Sequence, residues 1–160
     1  MQNQGAQVIA QAISQGKQLA TAESLTAGMI AATLAEVSGA SAVLRGGVIS
    51  YSSQVKAELL GVDSQLLAEV GSVDGEVARQ MAVGAQRACA AELTVSATGV
   101  AGPQAHDGKP VGTVFIGWAH GNESGFVAHH FVGDRAQIRE RSTTAAINQL
   151  AAILGKASSQ

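Results

Sequence analysis

Only one cysteine, Cys89, occurs in the chain, so no disulfide can close within it. The cysteine count excludes a disulfide-built scaffold and fits a reducing, cytoplasmic setting. Charge is also sparse: 10 Lys and Arg against 12 Asp and Glu, a net charge of −2. No basic stripe is present to neutralise a run of phosphates, so nucleic acid is not an expected partner. One small anionic ligand is still allowed, because a local site can be positive on a near-neutral protein. Aromatic residues make up 3% of the chain and leave little surface on which bases could stack. No apolar run approaches the ~20 residues that span a bilayer. The opening Met1-Gln2-Asn3-Gln4-Gly5 lacks the basic-then-apolar order of a signal peptide. No membrane association is expected.

What is abundant is small apolar residues. Of 160 residues, 46% are hydrophobic, and Ala, Gly and Val dominate. The length suits a single domain over 1–160 with a real core. Helical and strand patterns alternate along it. Val8, Ile9, Ala12 and Ile13 repeat at helical spacing before Gly16, and 18–22 reads as a short strand. From Thr26 the period turns helical through Met29, Ile30, Thr33, Leu34 and Val37, with Gly39 as a stop. A strand over 44–51 is followed by short helices over 53–60, ending at Gly61, and over 63–70. Asp74 can cap a longer helix through Val77, Met81, Ala85 and Ala88. A buried strand over 93–97 precedes a Gly- and Pro-containing loop over 98–110. Strands over 111–119 and 126–132 flank the hairpin signal Gly121-Asn122-Glu123-Ser124-Gly125. Asp134 and Gln137 resemble a capping box for a final helix carrying Ile138, Ala145, Leu150 and Ile153, with a frayed tail expected after Gly155. This order predicts a three-layer α/β/α sandwich whose sheet is mixed but mostly parallel, with one antiparallel pair at the late hairpin.

In such sheets the site lies at the carboxyl ends of strands, and three segments fall there. In Thr21-Ala22-Glu23-Ser24-Leu25-Thr26-Ala27-Gly28, Ser24 lies between a strand and a helix. It reads either as a helix cap or as a nucleophile beside free amides, and Thr26 shares that ambiguity. In the second segment, Tyr51 is the only tyrosine and Lys56 lies on the following helix. A neutral lysine can deprotonate a serine, but only if burial or cationic neighbours lower its pKa; otherwise Lys56 is a solvated helix residue. The third, Thr98-Gly99-Val100-Ala101-Gly102-Pro103, is either an anion-binding nest or a tight turn. Arg139 and Arg141, near the start of the last helix, suit a phosphate, or else a solvated face. The histidines argue against a metal: His129 and His130 are adjacent on a strand and point to opposite faces, and no HxH, HExxH or Cys/His spacing occurs.

Taken in order, these segments resemble the CinA carboxy-terminal-domain family, the nicotinamide-nucleotide amidohydrolases of the PncC type. The likeness runs from about Gln7 to Leu154. It rests on Thr21 to Gly28, on Gly46-Gly47-Val48-Ile49-Ser50-Tyr51-Ser52 and on Lys56-Ala57-Glu58-Leu59-Leu60-Gly61-Val62. It continues through Glu76-Val77-Ala78-Arg79-Gln80-Met81-Ala82, Thr98 to Pro103, Lys109-Pro110-Val111-Gly112-Thr113-Val114 and Gly133-Asp134-Arg135. Each piece is weak alone, and the ordered set is specific.

The resemblance implies hydrolysis of nicotinamide mononucleotide (NMN) to nicotinate mononucleotide and ammonia, with no metal and no organic cofactor. It implies Ser24 as nucleophile, assisted by Lys56 and Tyr51. The amides near Leu25 and Thr26 would hold the oxyanion, and the ligand loop falls on Thr98, Gly99 and Gly102. Arg139 and Ser41 are further carried-over substrate contacts. The resemblance also implies a stand-alone form without the separate amino-terminal domain of many relatives, and a homo-oligomer, most simply a dimer. Ala27 stands where relatives often have glycine, and its methyl group is expected to narrow the pocket. The loop Gln104-Ala105-His106-Asp107-Gly108 is less glycine-rich than in many relatives. Two alternatives remain open: a non-catalytic nucleotide-binding or interaction module of the same fold, and a hydrolase of a different small amide.

Overall fold

The computed structural model describes residues 2–159. Five strands form one sheet: β1 (Leu19–Glu23), β2 (Leu44–Ile49), β3 (Leu93–Gly99), β4 (Thr113–His120) and β5 (Glu123–His130). Their order is β2-β1-β3-β4-β5, with β1 parallel to β2 and β3, and β4 antiparallel to β3 and β5. Four strands therefore point one way, and β4 alone is reversed. The sheet has two antiparallel pairs where the hairpin signal predicted one, because β4 inserts between β3 and β5 and shares a reversed ladder with each.

Helices α1 (Gln2–Gln15), α2 (Met29–Ala35) and α6 (Arg135–Ser158) cover one face; α3 (Ser53–Leu60) and α5 (Gly75–Cys89) cover the other, and α4 (Ser64–Val70) links α3 to α5. The three layers match the predicted sandwich. Alternation along β3 shows how the faces divide. Leu93, Val95 and Ala97 join the core formed with Val8, Ile9, Leu34, Ile147 and Leu150. Thr94 and Ser96 face α5, where their hydroxyls donate to the carbonyls of Ala82 and Ala78 at 2.6 Å each. These two bonds, one helical turn apart, dock α5 while satisfying both buried hydroxyls. α5 lies so close to β4 that a Cβ on Gly117 would sit 2.1 Å from the Ala78 carbonyl oxygen.

The chain's own punctuation sets most element ends. Ser52, Asp63 and Asp74 cap α3, α4 and α5 through side-chain oxygens, and Gly61 ends α3 in the left-handed conformation. Asp134 and Gln137 form the predicted capping box on α6. α6 continues to Ser158, past the expected fraying point, with the Gln15 side chain donating to the Leu154 carbonyl at 2.9 Å and to the Ser158 hydroxyl at 2.8 Å. α2 begins at Met29 rather than Thr26, because Ala27 and Gly28 take positive φ values of 47° and 100°. Among the described residues no helix is long and apolar enough to cross a membrane.

From β1 the chain crosses to β2 on one side and later returns to β3 on the other. A crevice is thus left at the carboxyl ends of β1 and β3, the point where such sheets bind ligands. Gly117→Ala is expected to destabilise the fold by about 2–3 kcal/mol, since the methyl group meets helix backbone that can move only with the whole of α5. Denaturant unfolding with an unchanged midpoint would show that α5 docks more loosely.

Candidate active site

Ladder bonds carry the first two segments past the ends of their strands. The Ser24 amide donates to the Ala97 carbonyl at 2.9 Å, and the Ser50 amide donates to the Glu23 carbonyl at 2.8 Å. Ser24 is thereby held beyond β1, with Ser50 and Tyr51 beyond β2. Ser52 then starts α3, and Lys56, in the second turn, folds its side chain back toward the strand end it has just left. Its Nζ lies 2.6 Å from the Ser50 carbonyl oxygen, 3.4 Å from that of Tyr51 and 3.0 Å from Ser24 Oγ.

Lys56 is fully buried. Burial pulls its pKa from the ordinary 10.5 down to about 8, against the opposing pull of the Asp107 carboxylate. No carboxylate forms an ion pair with it among the described residues. An uncharged amine has two N–H bonds and one lone pair. The two carbonyls can take both N–H bonds, which leaves the lone pair for the Ser24 hydroxyl proton. An ammonium would instead have to donate to all three oxygens. Asp107 stays charged, held below the usual carboxylate range mainly by the Ser72 amide, with help from the Ser72 hydroxyl.

One buried acid, Glu23, escaped the sequence reading. It is 1% exposed, and its carboxylate accepts from Thr21 Oγ1 and from the amides of Gly28, Ile30 and Ala31. The free amides at the start of α2 are thus consumed by Glu23, and Ser24 is not a cap of that helix. A buried carboxylate requires such donors, and a helix N-terminus supplies them together with a favourable dipole. The amides of Leu25 and Thr26 have no partner among the described residues, nor does the fully buried Thr26 hydroxyl. The only legible signal for Glu23 was an acid in a buried strand shortly before a helix.

A cavity of about 340 Å³ opens above Ser24, lined also by Leu25, Tyr51, Gly99, Gly102 and Arg135. The amides of Ala101 and Gly102 have no partner among the described residues, whereas that of Val100 is taken by Thr113. The Thr98 side chain is buried and donates to the Ser72 carbonyl at 2.7 Å, so it braces the wall instead of facing the cavity. Lys109 Nζ bonds the Val73 carbonyl beside it at 2.8 Å. Arg139 is turned to the Ser24 loop, with its Nε donating to the Leu25 carbonyl at 2.8 Å. Arg135 is the arginine that lines the cavity; its only sequence signal was its place in Gly133-Asp134-Arg135. Arg141 is exposed and bonds the Val132 carbonyl. Ser41 lies apart from this cluster: it sits exposed in the 3-10 turn Ala40–Ala42 before β2, and the whole strand separates it from Ser50. Ala27 is exposed and does not line the cavity, so its methyl group strains the backbone, where the sequence reading expected a narrowed pocket. No group of three or more metal-ligating side chains converges among the described residues.

The Lys56 burial penalty has a pH signature. Below pH 8 the lysine is charged in both states and the penalty is fully present. Between about 8 and 10.5 only the unfolded chain holds the proton, so stability rises with pH. Relative to Lys56→Met, the native protein should gain about 2–3 kcal/mol of unfolding free energy between pH 7 and pH 10 in urea titrations. A pH-independent difference would show that the amine is not desolvated. Glu23→Ala, which orphans four donors, is expected to cost about 3 kcal/mol or more at pH 7.

Comparison with known proteins agrees with this architecture. The profile of the CinA C-terminal domain matches residues 2–154. A CinA-like protein from Mycolicibacterium vanbaalenii is 48% identical over 137 residues, covering 84% of this chain and 32% of that protein. A CinA-like protein from a Geobacter species is 43% identical over 143 residues, covering 87% and 34%. The chain spans about a third of the length of the curated relatives it matches. A competence-damaged protein (CinA) superfamily protein from Klebsiella pneumoniae superposes with a TM-score of 0.93 at 28% identity, covering 97% of this chain and 98% of that one. A competence/damage inducible protein from Agrobacterium tumefaciens does so with a TM-score of 0.91 at 32% identity, covering 96% and 94%. By its matching residues and its five-stranded architecture alike, the chain belongs to the CinA C-terminal domain family.

Proposed function

We propose that the protein is an amidohydrolase that converts NMN to nicotinate mononucleotide and ammonia, with Ser24 as nucleophile and Lys56 as its base. The observation that carries this reading is the Lys56 Nζ to Ser24 Oγ contact of 3.0 Å, made by a buried amine with two carbonyls as its other partners. Membership of the family supports the choice of substrate. So does the cavity, where the amides of Ala101 and Gly102, without a partner among the described residues, are suited to a nucleotide phosphate.

In this mechanism the Lys56 lone pair removes the Ser24 proton as Oγ bonds to the carboxamide carbon. The carbonyl electrons move to oxygen, and the resulting oxyanion takes the amides of Leu25 and Thr26, an interaction typically worth ~3–4 kcal/mol in the transition state. The Lys56 ammonium returns its proton to the amide nitrogen, the C–N bond breaks and ammonia leaves. Water, deprotonated by Lys56, then attacks the acyl carbon, and the C–Oγ bond breaks as Ser24 recovers a proton. At pH 7 roughly one Lys56 in ten is uncharged, from a pKa of about 8, so the base is usable but limiting.

Ammonia and nicotinate mononucleotide should both accumulate when the protein is given NMN, and Ser24→Ala should abolish both while still binding NMN. The rate should climb with pH to a plateau above about 8, since protonation of Lys56 removes the base. Unchanged turnover in Ser24→Ala would overturn the nucleophile. NMN binding without ammonia in the native protein would favour a nucleotide-binding module.

A further inference from the structure

The mechanism above leaves one polar side chain of the cavity without a defined task, the phenol of Tyr51. It is the only tyrosine in the chain. Its Oη has a single protein partner among the described residues: Arg135 Nη2, at 3.1 Å. The other terminal nitrogen, Nη1, donates to the Gly102 carbonyl at 2.7 Å. Arg135 thus ties the end of β2 to the loop after β3, across the mouth of the cavity that holds Ser24.

The direction of that bond is fixed by chemistry. A guanidinium has donors only. The phenol oxygen must therefore accept from Arg135, and its one O–H is left for another acceptor. Lys56 does not compete for it: the amine reaches the main-chain oxygen of Tyr51 and bonds Ser24 Oγ directly. The placement of Arg135 also has a local cost. It is the first residue of α6, where the helix dipole disfavours a cation. The turn that delivers it is tightly specified. Gly133 has a φ of 144°, a Cβ there would meet Gln137 Oε1 at 2.7 Å, and Asp134 and Gln137 close the capping box. A cation held against the local electrostatic preference by a rigid turn points to a role outside the helix.

We propose that Arg135 is a positioning residue that fixes Tyr51 as a hydrogen-bond donor into the Ser24 cavity and keeps it out of the proton path between Lys56 and Ser24. This rests on the amidohydrolase reading for its catalytic consequence. The acceptor in the cavity is the carboxamide oxygen of the substrate, to which the Tyr51 O–H adds a side-chain donor beside the Leu25 and Thr26 amides. No proton is transferred from the phenol. Tyr51 is 59% exposed, so its replacement leaves the core untouched.

Two measurements test the proposal on the full chain. The first does not depend on turnover. With one tyrosine, the Raman Fermi doublet belongs to Tyr51 alone, and its intensity ratio reports whether the phenol oxygen accepts from a strong donor. The ratio should fall in Arg135→Met and return toward the native value in Arg135→Lys; no change in Arg135→Met would overturn the contact. The second uses NMN. Tyr51→Phe and Arg135→Met should each lower kcat by about tenfold to a hundredfold. The double variant should lose no more than Tyr51→Phe alone, and the pH midpoint near 8 should not move in any of them. Losses that multiply, or a loss confined to KM, would assign Arg135 to the substrate itself and overturn the positioning role. A shifted midpoint in Tyr51→Phe would put the phenol in the proton path and overturn it equally. Absence of ammonia from the native protein would sink the amidohydrolase reading, while the Raman result would still decide the Arg135–Tyr51 contact.

Discussion

An amine buried with no carboxylate in ion-pair contact among the described residues is the constraint around which this molecule is arranged. Lys56 has two carbonyl oxygens and one serine hydroxyl within reach and, among the described residues, no carboxylate as an ion-pair partner. In that setting the charged form is poorly solvated, and the neutral form finds a partner for each N–H bond and for its lone pair. The surrounding structure keeps the setting closed. α3 is pressed onto α5 so tightly that a Cβ on Gly84 would sit 2.1 Å from the Leu60 carbonyl oxygen. Leu60 and Val62 pack with Val77, Met81 and Ala85 on the same side of the sheet. The lowered pKa of Lys56 is thus a packing property: the core that stabilises α3 also desolvates the lysine it carries.

Glu23 and Lys56 flank Ser24 from opposite faces of the sheet, and the contrast between them explains their different roles. Both are buried and ionisable. Glu23 accepts four hydrogen bonds, two from α2 amides and one from the Gly28 amide that caps the helix, so its oxygens are fully partnered and it acts as a structural clamp. Lys56 has only neutral oxygens in contact with its amine, and burial lowers its pKa to about 8. One residue organises the loop that presents Ser24; the other draws on that residue's hydroxyl. The cavity walls are braced in the same way. Thr98, Asp107 and Lys109 all bond the Ser72–Val73 segment, which holds the loop after β3 against the chain before α5.

Much of the fold was legible in local chemistry. Gly61, Asp74 and the Asp134–Gln137 pair mark helix ends by hydrogen bonds made within a few residues, and all three act as their residue types predict. The alternation of helical and strand patterns was enough for a three-layer sandwich. The start of α2 was misread because Met29, Ile30 and Leu34 carry the helical period while the positive φ at Ala27 and Gly28 delays the helix. The second antiparallel pair was not legible because strand order is not a local property.

At the site, sequence alone determined which chemical groups were available: a hydroxyl, an amine and a phenol at the ends of strands, with glycines that allow close approach. Tertiary structure decided what those groups are. It buried Lys56, a residue type usually solvated, and set it 3.0 Å from a serine 32 positions away. It turned Arg139 onto the Leu25 carbonyl and brought Arg135 over the cavity, a choice that depends on how α6 starts and not on its composition. It spent the α2 amides on Glu23. Hydrogen bonds between near neighbours leave a pattern in the chain, whereas desolvation and long-range contact depend on what the folded molecule excludes from water, and no stretch of residues records that.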